Sequence, residues 1–274
     1  MTQTFTLGPL VLSLPLLAGA AAYMLAGYMG RRLAGAQAAD VERHLLRSVL
    51  AGLVAARLAF VVQFHDAYLK APLSMLDIRD GGWHARVGVG AALAYVGVQF
   101  MRRRELRKPL LGAFATAGVL WAAAAVAFSV GTREAVRMPE LALPATDGTT
   151  IRLSSFEGRP TVVNLWATWC PPCQREMPVL QRAQALRPDV HFVFLNQGES
   201  SQQVSAWLAR SGLPLQNVLL DARGEAGTAL GHRALPTTLF FDASGRLTHT
   251  RVGELSEASL AERLSDLPPF TPKK

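Results

Sequence analysis

The chain has 274 residues, half of them hydrophobic, and a formal net charge of +8. The charge is uneven: residues 1–130 carry 13 Lys and Arg against 6 Asp and Glu, and residues 131–274 carry 15 against 14. The length allows two domains. Basic clusters lying between apolar runs read as charge flanking a membrane and argue against a nucleic-acid face.

No charged side chain occurs in residues 1–30. Leu7 to Gly30 is rich in Leu, Ala and Gly and long enough to cross a hydrocarbon core of about 30 Å. A cleaved signal peptide fits poorly, because no basic stretch precedes the run and the run is too long. Ser48 to Phe64, interrupted by Arg57, Val87 to Met101, and Pro109 to Thr132 are three more apolar runs. The expectation is an α-helical membrane domain of about four transmembrane helices over residues 1–132, embedded in the lipid bilayer.

The loops orient it. Arg31, Arg32, Arg43 and Arg47 lie between the first two runs, and Arg102, Arg103, Arg104, Arg107 and Lys108 between the last two. The 66–86 loop carries Lys70, Arg79 and Arg86 with Asp66, Asp77 and Asp80. By the positive-inside rule the two basic loops are cytoplasmic, and everything after residue 132 faces the other side. For a bacterial protein this means a multi-pass inner-membrane protein with its second half in the periplasm, an oxidising compartment. Arg57, inside the second run, needs a partner there: backbone carbonyls, a loop carboxylate such as Asp80, or a lipid phosphate.

Ala56-Arg57-Leu58-Ala59-Phe60-Val61, then Asp80-Gly81-Gly82 and a Gly-rich run, resemble the first part of prolipoprotein diacylglyceryl transferases over roughly residues 7–110. The sequence departs where that family has His-Gly-Gly, reading Arg86-Val87-Gly88, and it lacks the family's Gly-Arg-x-x-Asn signature. The resemblance implies a degenerate scaffold rather than an active lipid transferase.

Gly131 to Met138 reads as a linker, and from there to residue 267 the pattern is that of an α/β domain. A hairpin is expected around Asp147-Gly148, a buried strand at Thr161–Ala167, and a helix at Cys173–Leu186 kinked by Pro178. Strands follow at Val190–Asn196, Val218–Leu220, Thr238–Phe241 and Leu247–Val252. Helices follow at Ser200–Ser211, Glu225–Leu230 and Leu255–Leu264, with a tail from Pro268.

Trp169-Cys170-Pro171-Pro172-Cys173 sits between the first of these strands and its helix, and it holds both cysteines of the chain. A sulfur at a helix N-terminus sees the positive end of the backbone dipole, which favours its thiolate. With a second thiol one turn behind, this is equipment for thiol–disulfide exchange. As a structural staple the pair would tie together almost nothing. A zinc site would need about four ligands, and His44, His65, His84, His191, His232 and His249 offer no matching spacing. Two other readings of the same residues stay open. One is copper handling, with Cys170, Cys173 and His232 as soft ligands. The other is a scaffold whose redox pair is vestigial.

Asn164 through Cys173, followed by Glu176-Met177-Pro178, is similar to the TlpA-like branch of the thioredoxin superfamily. So is Leu235-Pro236-Thr237-Thr238-Leu239-Phe240-Phe241-Asp242 with Gly245. The resemblance covers about residues 138–267 and implies an α/β thioredoxin fold after the membrane domain. It also implies a membrane-tethered, periplasm-facing thiol–disulfide oxidoreductase, usually a protein-disulfide reductase, of the kind that serves cytochrome c maturation or copper-site assembly. No cofactor or metal is implied; the partners are a disulfide-containing client and a membrane-embedded thiol reductant. Residue by residue, the resemblance makes Cys170 the exposed nucleophile and Cys173 the resolving cysteine. Pro236 becomes a proline preceded by a cis bond, which sets the Leu235 backbone beside the sulfurs. Glu176 becomes a carboxylate that tunes the thiols, unless it is an ordinary solvated helix residue. Pro171 and Pro172 complete the motif, Trp169 packs beside it, and Trp166 belongs to the core. Asn164 stands where thioredoxin has a buried aspartate.

Overall fold

The computed structural model describes residues 4–7, 10–69, 72–130 and 136–267. It divides into two compact units, one of the N-terminal helices and one of the residues from 136 onward grouped with Leu76–Gly81.

In the helical unit, strands β1 (Thr4–Leu7) and β2 (Leu10–Ser13) pair antiparallel ahead of helix α1 (Leu14–Ala34). The first apolar run is therefore part strand. Strand β1 lies almost wholly ahead of that run, and Leu10-Val11-Leu12 within it are apolar residues that suit a pleated surface. Helices α2 (Ala38–Gln63), α3 (His65–Leu69), α4 (Ala85–Arg102) and α5 (Arg107–Val130) follow. Helix α2 starts ten residues before the expected span and takes Arg43 and Arg47 into its first turns.

The expected count of about four spans is corrected here. Among the described residues one helical stretch, Leu17–Gln63, is long and apolar enough to cross a membrane. Helix α4 has arginines at 86 and 102 around an uncharged run shorter than the roughly 20 residues a crossing needs, and α5 opens on Arg107 and Lys108. Residues 131–135 of the expected linker and the tail from Pro268 lie outside the described residues.

Arg57 is buried in α2, and its guanidinium donates to the carbonyl oxygens of Ser74 (3.2 Å), Met75 (3.0 Å) and Gly82 (2.9 Å). It also lies 5.2 Å from the centre of the Tyr68 ring. Of the partners expected, backbone carbonyls serve. Gly82 allows the approach: a Cβ there would sit 2.3 Å from the Phe60 ring and 2.9 Å from the guanidinium.

The second unit is a thioredoxin-like α/β domain. A short antiparallel pair, β3 (Ala142–Pro144) and β4 (Thr150–Arg152), precedes a five-stranded sheet. The sheet comprises β5 (Thr161–Trp166), β6 (His191–Gln197), β7 (Val218–Asp221), β8 (Thr237–Phe241) and β9 (Leu247–Val252) in the order β7-β6-β5-β8-β9. The first three run parallel; β8 and β9 are antiparallel to their neighbours. Strand β5 is central and buried throughout, so it is mainly apolar, and its one buried amide, Asn164, is hydrogen-bonded. Its side chains still alternate between two cores. Val162 and Trp166 pack with Met177, Phe194 and Leu260, while Val163 and Leu165 pack with Leu153, Val193 and Phe241.

Four helices complete the unit: α6 (Pro171–Leu186), α7 (Ser201–Ser211), α8 (Glu225–Ala229) and α9 (Glu257–Ser265). Helix α6 starts at Pro171, two residues before the expectation. Two prolines at a helix start sacrifice only N–H groups that have no partner in the helix. The helix runs unbroken past Pro178. Ser200 and Ser256 cap α7 and α9 with reciprocal side-chain bonds that set their starts.

Candidate active site

The site is built at the C-terminal ends of β5, β6 and β7, where side chains from parallel strands converge, and is completed by the segment that enters β8. The chain leaves β5 at Trp166, turns through Ala167–Trp169 and enters α6 at Cys170. Cys170 is the N-cap, and its sulfur accepts the Cys173 N–H at 3.3 Å. The two cysteines form a disulfide with an S–S distance of 2.07 Å and Cα atoms 5.3 Å apart. Cys173 has no exposure. Cys170, expected to be exposed, retains 3%; packed against the helix start, it lines the floor of a groove of about 750 Å³.

Leu235 lines the same groove, and the Leu235–Pro236 bond is cis. Pro236 is buried, Pro171 is exposed and Pro172 lies between. Trp169 stands on the rim at 67% exposure rather than packing down. Trp166 is fully buried with its ring 5.0 Å from that of Trp207.

Glu176, one turn beyond Cys173, has no exposure. Its Oε1 accepts from Asn164 Nδ2 at 2.7 Å and its Oε2 from the Leu255 N–H at 2.9 Å. Burial pushes its carboxyl up to about 7, with a smaller push from Glu254; the Asn164 and Leu255 hydrogen bonds and the Arg251 charge pull the other way. It is not a solvated helix glutamate. Asn164 also donates to Thr238 Oγ1 at 3.0 Å, joining β5, β8 and α6 through one amide.

Two acidic groups escape a reading of the sequence. Glu199, just past β6, is buried and accepts from the Thr168 N–H (2.7 Å), from Asn196 Nδ2 (2.7 Å) and from the Thr168 hydroxyl. It holds the turn that delivers Trp169 and Cys170. Asp221, at the end of β7, accepts from the N–H groups of Glu225 (2.8 Å), Ala226 (3.0 Å) and Gly227 (3.1 Å) and anchors the far wall of the groove. Both stand at or just past the C-terminal ends of parallel strands, the one signal that could have singled them out. His232 is partly buried, and burial lowers its pKa. Among the described residues no three His, Cys, Asp or Glu side chains gather as a metal site would require.

The family model described as Redoxin matches residues 133–264. The thiol:disulfide interchange protein DsbE of Vibrio cholerae is 32% identical over 131 residues, 48% of this chain and 68% of that one. The chain belongs to the Redoxin family of thiol-disulfide oxidoreductases. Another relative, the thiol-disulfide oxidoreductase ResA of Geobacillus thermodenitrificans, is 28% identical over 133 residues, 48% of this chain and 76% of that one. Among solved structures, a secreted Mycobacterium tuberculosis disulfide oxidoreductase homologous to E. coli DsbE aligns at 25% identity with a TM-score of 0.43, covering 47% of this chain and 96% of that one. For a Redoxin-family oxidoreductase, a disulfide at a helix start that opens onto a groove is an arrangement suited to exchange chemistry.

Proposed function

We propose that this oxidoreductase is a membrane-anchored, periplasm-facing reductase of protein disulfides, of the type that serves cytochrome c maturation or copper-site assembly. Its clients carry disulfides, and its own electrons come from a membrane-embedded thiol reductant. The observation that carries the reading is the Cys170–Cys173 disulfide at the N-terminus of α6, lining a groove with Leu235.

In the reduced protein the Cys170 thiolate attacks one sulfur of the client disulfide. A Cys170–client bond forms, and the client's other sulfur leaves as a thiolate and takes up a proton. Deprotonated Cys173 then attacks Cys170, the mixed disulfide breaks, and the client's second sulfur leaves and is protonated. The client gains two electrons and two protons, and Cys170–Cys173 is oxidised. The N-terminus of α6 favours the anionic sulfur at Cys170. Glu176, with a carboxyl near 7, suits the role of accepting the Cys173 proton. Trp169, Pro171, Pro172, Leu235 and Pro236 shape the surface that receives the client strand.

The anchor reading is supported by Leu17–Gln63, by the basic cluster Arg31, Arg32, Arg43 and Arg47 that divides its two apolar arms, and by large apolar side chains left exposed along the helices, such as Met24, Val62 and Val119. The multi-pass arrangement further has α4 and α5 cross, the short apolar run of α4 being accommodated by Arg86 and Arg102 extending to the interfaces. The departures from the prolipoprotein diacylglyceryl transferase pattern favour anchoring or docking over lipid chemistry.

The test is trapping in cells. A Cys173→Ser variant is expected to accumulate mixed disulfides with other proteins through Cys170, released by dithiothreitol and absent from Cys170→Ser. In the unaltered protein the pair is expected to be mostly reduced. Failure to trap any polypeptide would remove the exchange reading, and a mostly oxidised pair would reverse the direction of electron flow.

A further inference from the structure

The groove beside the disulfide has a sign. Its lining includes Arg223, on the loop after β7, and Arg233, two residues before Leu235, and no acidic side chain. The acidic groups of the wall-forming segments are spent elsewhere. Glu199 is turned inward onto Thr168 and Asn196, and Asp221 onto the start of α8. Glu225 pairs with Arg223 at 3.0 Å, but both are exposed, and such a pair holds little energy against a competing anion. Arg233 makes one long hydrogen bond, 3.4 Å, to Thr228 Oγ1. The N-terminus of the 16-residue helix α6 adds its positive end at Cys170, on the same floor.

We propose that this groove selects client segments bearing carboxylates next to the disulfide, with Arg223 and Arg233 as the specificity-determining residues. This deepens the reductase reading and rests on it. An extended client strand seated against Leu235 has its reactive sulfur over Cys170. Acidic side chains a few residues away then come within reach of the two guanidiniums, whose forked donors match a carboxylate. Trp169, exposed at the rim, supplies an apolar face for the same strand. The field acts first on encounter: complementary charge raises association rates tenfold or more at low ionic strength, and salt removes the gain.

The experiment uses the full chain in detergent, reduced with dithiothreitol and desalted. It is mixed with synthetic peptides that share one Cys-x-x-Cys disulfide and differ in their flanks: three Asp, three Ser or three Lys. Peptide reduction is followed by chromatography after an acid quench. The expected result is a second-order rate about tenfold higher for the Asp peptide than for the Lys peptide at low salt, with the ratio falling toward one in 0.5 M salt. In the double variant Arg223→Glu, Arg233→Glu the preference should invert, which a merely damaged fold would not produce. If that variant is inactive, Arg233→Gln alone should lower the ratio to about a third of its original value. A ratio near one in the unaltered protein, a preference for Lys, or an undiminished Asp preference in the Arg variants would overturn the proposal while leaving the reductase reading in place. Failure to reduce any of the three peptides would instead remove the reductase reading, and this inference with it.

Discussion

Glu176 is a buried carboxyl with a hydrogen-bond donor on each oxygen, and its charge is held in balance near neutral pH. An unfolded carboxyl releases its proton near 4.5, whereas in the fold Glu176 keeps it to about 7. Between those values the folded state binds more protons than the unfolded one, so stability falls as pH rises through this window and levels off above it. The full effect is about 3 kcal/mol. Asn164 can serve both charge states. Its Nδ2 donates to the carboxylate, and its Oδ1, buried with no protein partner, becomes an acceptor for a protonated Glu176 once the amide turns over. Glu176→Gln should therefore fold with the same two partners and lose the pH dependence. The measurement is the urea midpoint of the oxidised full chain in detergent between pH 4 and 9, read by tryptophan fluorescence. Parallel pH profiles for the variant and the parent would show that Glu176 does not titrate in this range.

At the scale of elements, the helical unit is held by close approach. Gly52 on α2 and Gly88 on α4 face each other so tightly that a Cβ on either would lie 2.9 Å and 2.8 Å from the other's carbonyl oxygen. Glycine at such a crossing lets the two backbones meet, and if the unit lies in lipid as proposed, that contact area would stand in for the missing hydrophobic drive. Gly88→Val would force α2 and α4 apart at a cost of about 1–3 kcal/mol. A lower midpoint for loss of helical circular dichroism in mixed dodecyl sulfate micelles should report it. An unchanged midpoint would mean that the crossing contributes nothing to the unit. The redox unit works by different means. Its helices begin where Cys170, Ser200, Ser256 or the Asp221 carboxylate accepts from their first N–H groups, and its sheet is buried on both faces, so its elements are set by short-range chemistry and its site by the strand ends they leave open.

For the whole molecule, the proposed topology follows from charge rather than shape. The basic loops at 31–47 and 102–108 would stay with the cytoplasm, and the 66–86 loop and the redox unit would lie across the membrane. In a background lacking Cys170 and Cys173, a membrane-impermeant maleimide applied to intact spheroplasts should label Asp66→Cys and Ser201→Cys and leave Gln37→Cys untouched. The opposite pattern would put the redox pair in the cytoplasm, where a different electron source would apply.

The redox chemistry and the secondary structure of the second half were legible in the sequence, because each is encoded locally. Two cysteines at helix-start spacing, apolar strand runs and turn residues such as Asp147-Gly148 need no distant partner to be recognised. Apolar length located the N-terminal helices but overcounted those that pass as spans, because the length of an uncharged run takes no account of the charges that bound it. Only the tertiary structure brought Asn164, Glu176 and the Leu255 N–H into one hydrogen-bonded group, turned Glu199 onto Thr168, set Arg223 and Arg233 along the groove, and supplied Arg57 with carbonyls from 17 to 25 residues away. In the redox unit these relations depend on which strand lies beside which, an order chosen by the burial of both sheet faces at once, and for Arg57 on how the chain after α2 folds back onto it; both are properties of the packed chain rather than of any stretch within it.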